Sequence, residues 1–530
     1  MTVVETTFGQ VRGSIDEGVV TFKGIPYGAS TAGGNRFLPP RKPESWTGVR
    51  DALRYGPLAM QPVPDLGIYA LGEVSAIEQG AGPNWETDTF GEDCLVLNVW
   101  TPGTGGQARP VMVWCHGGGF WYGTGAAAWT EGGVLARKHG VVVVTLNHRL
   151  NIFGHLFLDD VGGERYRGSG NAGLLDIVAA LEWVRDNIAA FGGDPANVTL
   201  FGESGGGSKV AALMAMPAAK GLFHKAIIES GSLTRALTSE QANKTLDLTL
   251  RCLNVAPGRL ERLHTLSSQQ VLAAMQSVLT ASGIDLLSWQ QGSWFHIFAP
   301  VVDGFVLPAH PFDPVAPSVS ADVPLLIGTT GDEAHTILSG DDPELFALDE
   351  RGLHEKVNAL VKSAEAAERL IRDFRAANPA ASPLDIYIDI ASDLTLRYGA
   401  IVKAERKAAL RAAPTYMYLF TWETPAFGGK YKSPHGAELP FVFDTLNKAP
   451  GLVGTVPDER CQELAERTSR AWIAFARSGN PNHSGLPEWR SYSVVDRATM
   501  VLNHRCDLVQ DPKGKQRLAA ERYFAGQLCG

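Results

Sequence analysis

The sequence predicts an α/β layer fold, a central, mostly parallel sheet flanked by helices, and three observations predict it. Short continuous apolar runs recur, as in strands covered on both faces: "GVVVVTLNHRL", "NVTLFGES" and "VPLLIGTTG". Between them lies a segment of helical period, "AGLLDIVAALEWVRDNIAAFGG". It sets Ile177, Leu181, Val184 and Ile188 on one stripe, with Gly192 and Gly193 as stop signals. Strands then alternate with helices, the order of a sheet built through crossover connections.

Taken in order, "GQVRGSIDEGVVTFKGIPYG" alternates and turns like a small N-terminal antiparallel sheet. "CLVLNVWTP" and "VMVWCHGGGF" read as strands, the second ending in Gly117, Gly118 and Gly119. "SGGGSKVAALMAMP" turns helical directly after the strand "NVTLFGES", and Pro217 helps to end it. "KAIIESGS" and "TYMYLFTW" read as further strands. Helix-rich stretches at about 240–282 and 343–413 have no glycine- or proline-rich linkers at their ends. They are expected to be insertions packed over the sheet, so that residues 1–530 form a single domain.

Composition narrows the function classes. The chain has 530 residues, 45% of them hydrophobic, enough for a large core. The net charge of -9 is spread over both signs with no basic block, which argues against nucleic acid and anionic membrane surfaces as partners. No apolar run approaches the roughly 18 residues of a bilayer span. The N-terminus, "MTVVETTFGQVRGS", lacks the pattern of a signal peptide. Six scattered cysteines without C-x-x-C spacing point to reduced thiols and a cytoplasmic protein. The 13 histidines contain no HExxH pattern, and no metal or organic cofactor is expected.

The chemistry centres on "FGESGGG", residues 201–207. Gly202, Ser204 and Gly206 fit G-x-S-x-G, with a strand before and a helix after. A sharp turn there lifts the serine hydroxyl above the carboxyl end of the sheet, and small neighbours are needed because side chains would collide. The pentapeptide alone equally suits a flexible loop; the flanking strand and helix favour the turn. The helix dipole at Ser204 favours developing negative charge. "HGGGF", residues 116–120, supplies the second half of an acyl-transfer site. Gly118 and Gly119, with Gly205, are the expected N–H donors to the oxyanion.

A serine hydroxyl needs a base. Five histidines follow the strand "VPLLIGTTG": His335, His354, His435, His483 and His504. His435 is the best placed, in a Pro-His-Gly loop after the strand "TYMYLFTW". The acid is expected just after a strand, and "GDEAHTIL" offers Asp332 and Glu333, between which spacing does not decide.

Together these motifs resemble the type-B carboxylesterase and cholinesterase family of α/β-hydrolases. "FKGIPYG", "RFLPP", "EDCLVLNVWTP", "NHRLNIFG", "FAPVVDG", "HGAELPFVF" and "WIAFARSGNPN" carry the likeness nearly end to end. The resemblance implies a Ser204–Glu333–His435 triad and an oxyanion hole at Gly118, Gly119 and Gly205. It further implies Glu203 as a buried support for the histidine, and a structural ion pair between Arg149 and Asp176. The implied activity is hydrolysis of aryl or short- to medium-chain carboxylic esters through an acyl-enzyme. The partner is then a small ester, the chain being a monomer or a weak homo-oligomer. A carbamate or amide hydrolase using the same triad is the alternative, and a non-catalytic cholinesterase-like binding module the alternative of another class.

The chain also departs from the family pattern. Gly205 stands where alanine is usual and is expected to loosen the turn, and Val96 replaces an aromatic or threonine. Cys94 matches a half-cystine of secreted relatives, yet no cysteine precedes it, as suits a bacterial intracellular member. Trp85 is out of register with the choline-gripping aromatic. The expected pocket walls are Phe120 and Trp121 beside the glycines, and Trp294 and Phe298 from an aromatic cluster before "APVVDG". Core packing of these aromatics is the alternative.

Overall fold

The computed structural model describes residues 1–62, 73–83, 88–283, 297–339 and 343–527. Three antiparallel strands open the chain, β1 (Thr2–Thr6), β2 (Gly9–Asp16) and β3 (Val19–Pro26), and β4 (Val49–Asp51) pairs with β2. The strands β5 (Val96–Thr101), β6 (Arg109–Cys115), β7 (Val142–Leu146), β8 (Gly193–Glu203) and β9 (Lys225–Glu229) follow. A separate two-stranded ladder joins β10 (Leu237–Thr238) to β11 (Val301–Val302). The sheet is completed by β12 (Leu325–Thr330), β13 (Thr415–Phe420), β14 (Ala498–Leu502) and β15 (Asp507–Gln510).

The strand order is β1-β2-β3-β5-β7-β6-β8-β9-β12-β13-β14-β15. Every pair from β7 through β14 is parallel, the pairs β1–β2, β2–β3, β3–β5, β5–β7 and β14–β15 are antiparallel, and β4 joins β2 in parallel. The small N-terminal sheet is therefore continuous with the main one, because β3 pairs with β5. Register brings strand ends into line: Cys115 lies opposite Gly202, and Glu203 opposite Glu229. Ligands of such sheets bind beyond the carboxyl ends of the strands.

The apolar runs are continuous because both faces are covered. Val111, Val113, Val142, Val144 and Leu200 point into one core; Met112, Trp114, Val143 and Phe201 point into the other. The helix Ala172–Asn187 buries Ile177, Leu181 and Val184 as the stripe predicts, and also Leu174, Asp176, Val178 and Trp183. Its stripe is broad because further elements pack around it. Ile188 falls in the 3₁₀ turn Ile188–Phe191, which Gly192 closes at φ 80°. The helix Gly205–Met214 is buried along its whole length.

Helices Ser239–Cys252 and Ser268–Ala281 occupy the first helix-rich stretch and pack on each other. In the second stretch, Tyr398–Ala409 packs on β12 and β13. The helices Glu350–Val361, Ala364–Ala377 and Pro383–Ser392 instead share a core of their own, with Ala519 of the C-terminal helix Gly514–Gln527. No helix among the described residues is long and apolar enough to cross a membrane.

Candidate active site

Ser204 stands between β8 and the helix Gly205–Met214 at φ 57° and ψ −119°. Such a conformation costs about 1–3 kcal/mol and persists only where its surroundings enforce it. Two hydrogen bonds do so: Ser204 N–H donates to Glu229 O (2.8 Å), and Ser208 N–H donates to Ser204 O (3.0 Å). Gly202 and Gly206 allow the bend, since an added methyl would lie 2.6 Å and 2.0 Å from Cys115 O, at the end of β6. Ser204 stays partly accessible while its neighbours on both sides are buried.

The chain leaving β6 is left-handed at Gly118 (φ 82°) and Gly119 (φ 60°). Gly118 O accepts from the N–H groups of Trp121 (3.1 Å) and Tyr122 (3.2 Å), folding the loop back on itself. A methyl on Gly117 would sit 3.6 Å from Ser204 Cβ, and one on Gly205 would sit 2.2 Å from Gly119 O. The three glycines expected as oxyanion donors thus share one corner with Ser204. At Gly205 the backbone of Gly119 fills the space that a side chain would take.

On the other side, His435 Nδ1 lies 2.5 Å from Glu333 Oε2. Glu333 is fully buried just beyond β12, and its Oε1 accepts from Thr330 N–H (2.8 Å) and Ser230 Oγ–H (2.5 Å). Asp332, the alternative acid, turns away: its Oδ2 accepts from Ser433 N–H (3.3 Å). Glu203 reaches back from the residue before Ser204, and its Oε1 is 3.1 Å from His435 Nε2. The imidazole is therefore bracketed by two carboxylates.

Electrostatics follow from this crowding. Burial opposes the imidazolium, but Glu203 and Glu333 outweigh it and lift His435 to about 10. Burial raises Glu203 to about 7, against the pull of His435. The two groups therefore titrate as an interacting pair.

Further acids stand behind them. Glu229 is fully buried and accepts from Trp472 Nε1–H, and burial raises it to about 8. Glu438 is fully buried, accepts from Tyr418 O–H (3.0 Å), and is held well above the usual carboxylate range by burial and by Glu333. Sequence reasoning missed Ser230, Glu229 and Glu438. A polar "ESG" ending a buried strand, and a glutamate three residues after His435, were the available signals.

The expected walls divide. Trp121 and Phe298 are buried and meet edge to face at 6.1 Å. Phe120 is buried against His155, at 5.3 Å between ring centroids. Trp294 lies outside the described residues. Arg149 and Asp176 form a buried two-pronged pair, Nε–Oδ2 2.8 Å and Nη2–Oδ1 2.6 Å.

The family model for the carboxylesterase family matches residues 1–521. The para-nitrobenzyl esterase of Bacillus subtilis is 37% identical over 524 residues, 97% of each chain. The phenmedipham hydrolase of Pseudarthrobacter oxydans is 32% identical over 508 residues, 94% of each chain. The crystal structure of a Geobacillus stearothermophilus carboxylesterase superposes with a TM-score of 0.82 at 37% identity, covering 98% of this chain and 100% of that one. A match along almost the whole chain, in sequence and in fold, leaves one conclusion: this protein belongs to the carboxylesterase family and is a carboxylic ester hydrolase that acts on small ester substrates.

Proposed function

We propose that Ser204 is the nucleophile, His435 its base, Glu333 the acid that orients the base, and Gly118, Gly119 and Gly205 the oxyanion donors. The observation that carries this reading is the 2.5 Å contact between His435 Nδ1 and Glu333 Oε2, with the imidazole's other nitrogen 3.1 Å from Glu203, the residue before a serine on a strained strand-to-helix turn. A carboxylate acceptor on Nδ1 leaves Nε2 to take a proton. In the first half-reaction Ser204 Oγ bonds to the ester carbonyl carbon, its proton passes to His435 Nε2, and the carbonyl π pair becomes the oxyanion. Collapse breaks the bond to the alcohol oxygen, which takes the proton from His435. Water, deprotonated by the same nitrogen, then adds to the acyl-enzyme and releases the acid and Ser204. Glu203 supports His435 by balancing the imidazolium from the Nε2 side.

Turnover of p-nitrophenyl butyrate, with fluorophosphonate labelling, tests the assignment. Ser204→Ala abolishes both; labelling that survives the substitution refutes the nucleophile. The edge-to-face pair Trp121 and Phe298 supports an apolar wall suited to aryl or medium-chain acyl groups.

Carbamate hydrolysis is a second reading, favoured by the similarity to the relative named phenmedipham hydrolase, phenmedipham being a carbamate. A carbamyl-enzyme that releases product slowly after a burst marks that chemistry. We also infer a cytoplasmic location, since Cys94, Cys115, Cys252, Cys461 and Cys506 are free thiols. A single-domain monomer or weak homo-oligomer completes the proposal, testable by cell fractionation and light scattering.

A further inference from the structure

The helix that starts at the nucleophile carries a lysine in its buried interior. Lys209 is fully buried, and its Nζ donates to His116 O at 2.8 Å. His116 is the residue immediately before the three glycines of the oxyanion loop. Because a peptide unit is planar and trans, fixing that carbonyl also fixes the Gly117 N–H on the opposite side, and so the start of the loop.

Three buried imidazoles accompany the lysine. His116 stacks on His148 with ring centroids 4.9 Å apart and planes at 12°. His155 stands edge-on to Phe120, whose ring centroid lies 5.9 Å from Lys209 Nζ. Each imidazole has its Nδ1 on a carbonyl: Gly117 O for His116 (2.9 Å), Arg149 O for His148 (2.8 Å) and Gly170 O for His155 (3.1 Å). A carbonyl only accepts, so each Nδ1 carries the hydrogen and each Nε2 is a bare acceptor. The Nε2 atoms of His148 and His155 have no hydrogen-bond partner among the described residues.

Charge follows the same division. Burial and Lys209 hold all three histidines below their ordinary value, so they are neutral. Burial also lowers Lys209, to about 7, against Cys115 and Glu203, which favour its charged form. Arg149, the other cation near His155, is already matched by Asp176. In its protonated form Lys209 is thus the cation of this cluster without a carboxylate bonded to it, and a charge buried there is screened less by solvent than one at the surface.

We propose that Lys209 is a positioning residue of the oxyanion hole: its Nζ clamps the His116 carbonyl and, when protonated, places a positive charge behind residues 117–119. The imidazoles of His148 and His155, held neutral, add no second positive charge to the cluster. The proposal rests on Gly118, Gly119 and Gly205 being the oxyanion donors. It adds that the hole is electrostatically backed from beneath, which strengthens the hold on the tetrahedral oxyanion more than on the neutral ester.

The test compares two ligands in wild type and Lys209→Met, which keeps the apolar stem and removes the charge. An alkyl trifluoromethyl ketone adds Ser204 Oγ and becomes an oxyanion, its proton passing to His435; the matching methyl ketone binds without that charge. The expected result is a loss of about ten- to a hundredfold in kcat on p-nitrophenyl butyrate, matched by the trifluoromethyl ketone. KM and methyl ketone affinity should stay within about twofold. Equal weakening of both ketones with a lowered melting midpoint means that the lysine only holds the structure up, and overturns the proposal. Unchanged affinity for both does so too.

Lys209→Gln separates the two parts, keeping a donor for His116 O without the charge; full recovery of trifluoromethyl ketone affinity there removes the electrostatic part. If the Lys209 variants do not fold, the same pair is read on His148→Phe, which replaces the imidazole stacked on His116, the residue whose carbonyl the lysine holds. An unchanged preference between the ketones in that variant refutes the idea. Failure of the donor assignment itself reads differently: wild type then shows no preference for the trifluoromethyl ketone at all.

Discussion

His435 Nε2 lies 3.1 Å from Oε1 of Glu203, the residue that immediately precedes Ser204 in the chain. The nitrogen assigned to take the serine proton thus faces a second carboxylate as well as the nucleophile's own turn. This contact makes the protonation of the proposed base depend on a group outside the proposed triad.

The first prediction follows from that dependence. After the opposing effect of burial, Glu203 is the leading influence that raises His435, so Glu203→Gln lowers the imidazole's proton affinity. The acid limb of kcat/KM moves to lower pH, because the base is freed of its proton sooner as pH rises. On the plateau above the acid limb the variant loses about tenfold in kcat, the imidazolium of the transition state having lost a counter-charge. A pH–rate profile from 5 to 11 on p-nitrophenyl butyrate, with spontaneous hydrolysis subtracted, reads both effects; an acid limb that stays in place contradicts the pairing.

Ser230 is the second. Its hydroxyl donates to Glu333 Oε1 at 2.5 Å from a residue held at φ 50°. Ser230→Ala leaves the buried acid with one donor fewer, worth about 1–3 kcal/mol. The expected outcome is a fall in kcat of roughly 5- to 150-fold with KM nearly unchanged, since the acid acts on the charged transition state. Steady-state kinetics on one ester decide it.

Glu229 supplies a stability prediction. Its carboxyl is raised from 4.5 to about 8, chiefly by burial. Between those values the unfolded chain has lost the proton and the folded chain keeps it, so folding takes up a proton and this group's contribution falls as pH rises. Below about pH 4.5 both states are protonated and the penalty vanishes. Glu229→Gln keeps the acceptor for Trp472 and cannot ionise. The variant should therefore match wild type in melting midpoint at pH 4 and exceed it increasingly up to pH 8. Parallel melting curves across that range count against the raised carboxyl.

Much of this was legible along the chain, for a physical reason. Strands buried on both faces announce themselves as apolar runs, so β7, β8 and β12 were readable, and with them the turn at Ser204. His435 was readable because a histidine between proline and glycine must lie in a loop. Glu229 was not, because its partner Trp472 is 243 residues away and only the folded sheet and the helix Glu459–Ser478 bring them together. Lys209 was equally hidden: in "SKVAALMAMP" it reads as one polar residue on a helix, and nothing local tells that all sides of that helix are covered. The continuity of the N-terminal strands with the main sheet is likewise a matter of the β3–β5 pairing, which no local pattern encodes.

The last prediction separates two adjacent acids that spacing left equivalent. Glu333 bonds His435 Nδ1 while Asp332 bonds the backbone of Ser433, so the two side chains leave the chain in different directions. Glu333→Gln keeps the shape but removes the charge that stabilises the imidazolium, and an amide can present an N–H where an acceptor is required, favouring the wrong tautomer. A loss of about 10⁴ in kcat is the expected scale for such a change. Asp332→Asn keeps an acceptor for the Ser433 N–H and touches no atom of the imidazole, so its kcat stays within about threefold of wild type. Burial holds Asp332 above its usual value, so neutralising it is tolerated by the fold. Kinetics of the two variants on the same ester, with circular dichroism to confirm folding, give a clear division. A collapse of activity in Asp332→Asn with Glu333→Gln near wild type reverses the assignment of the acid.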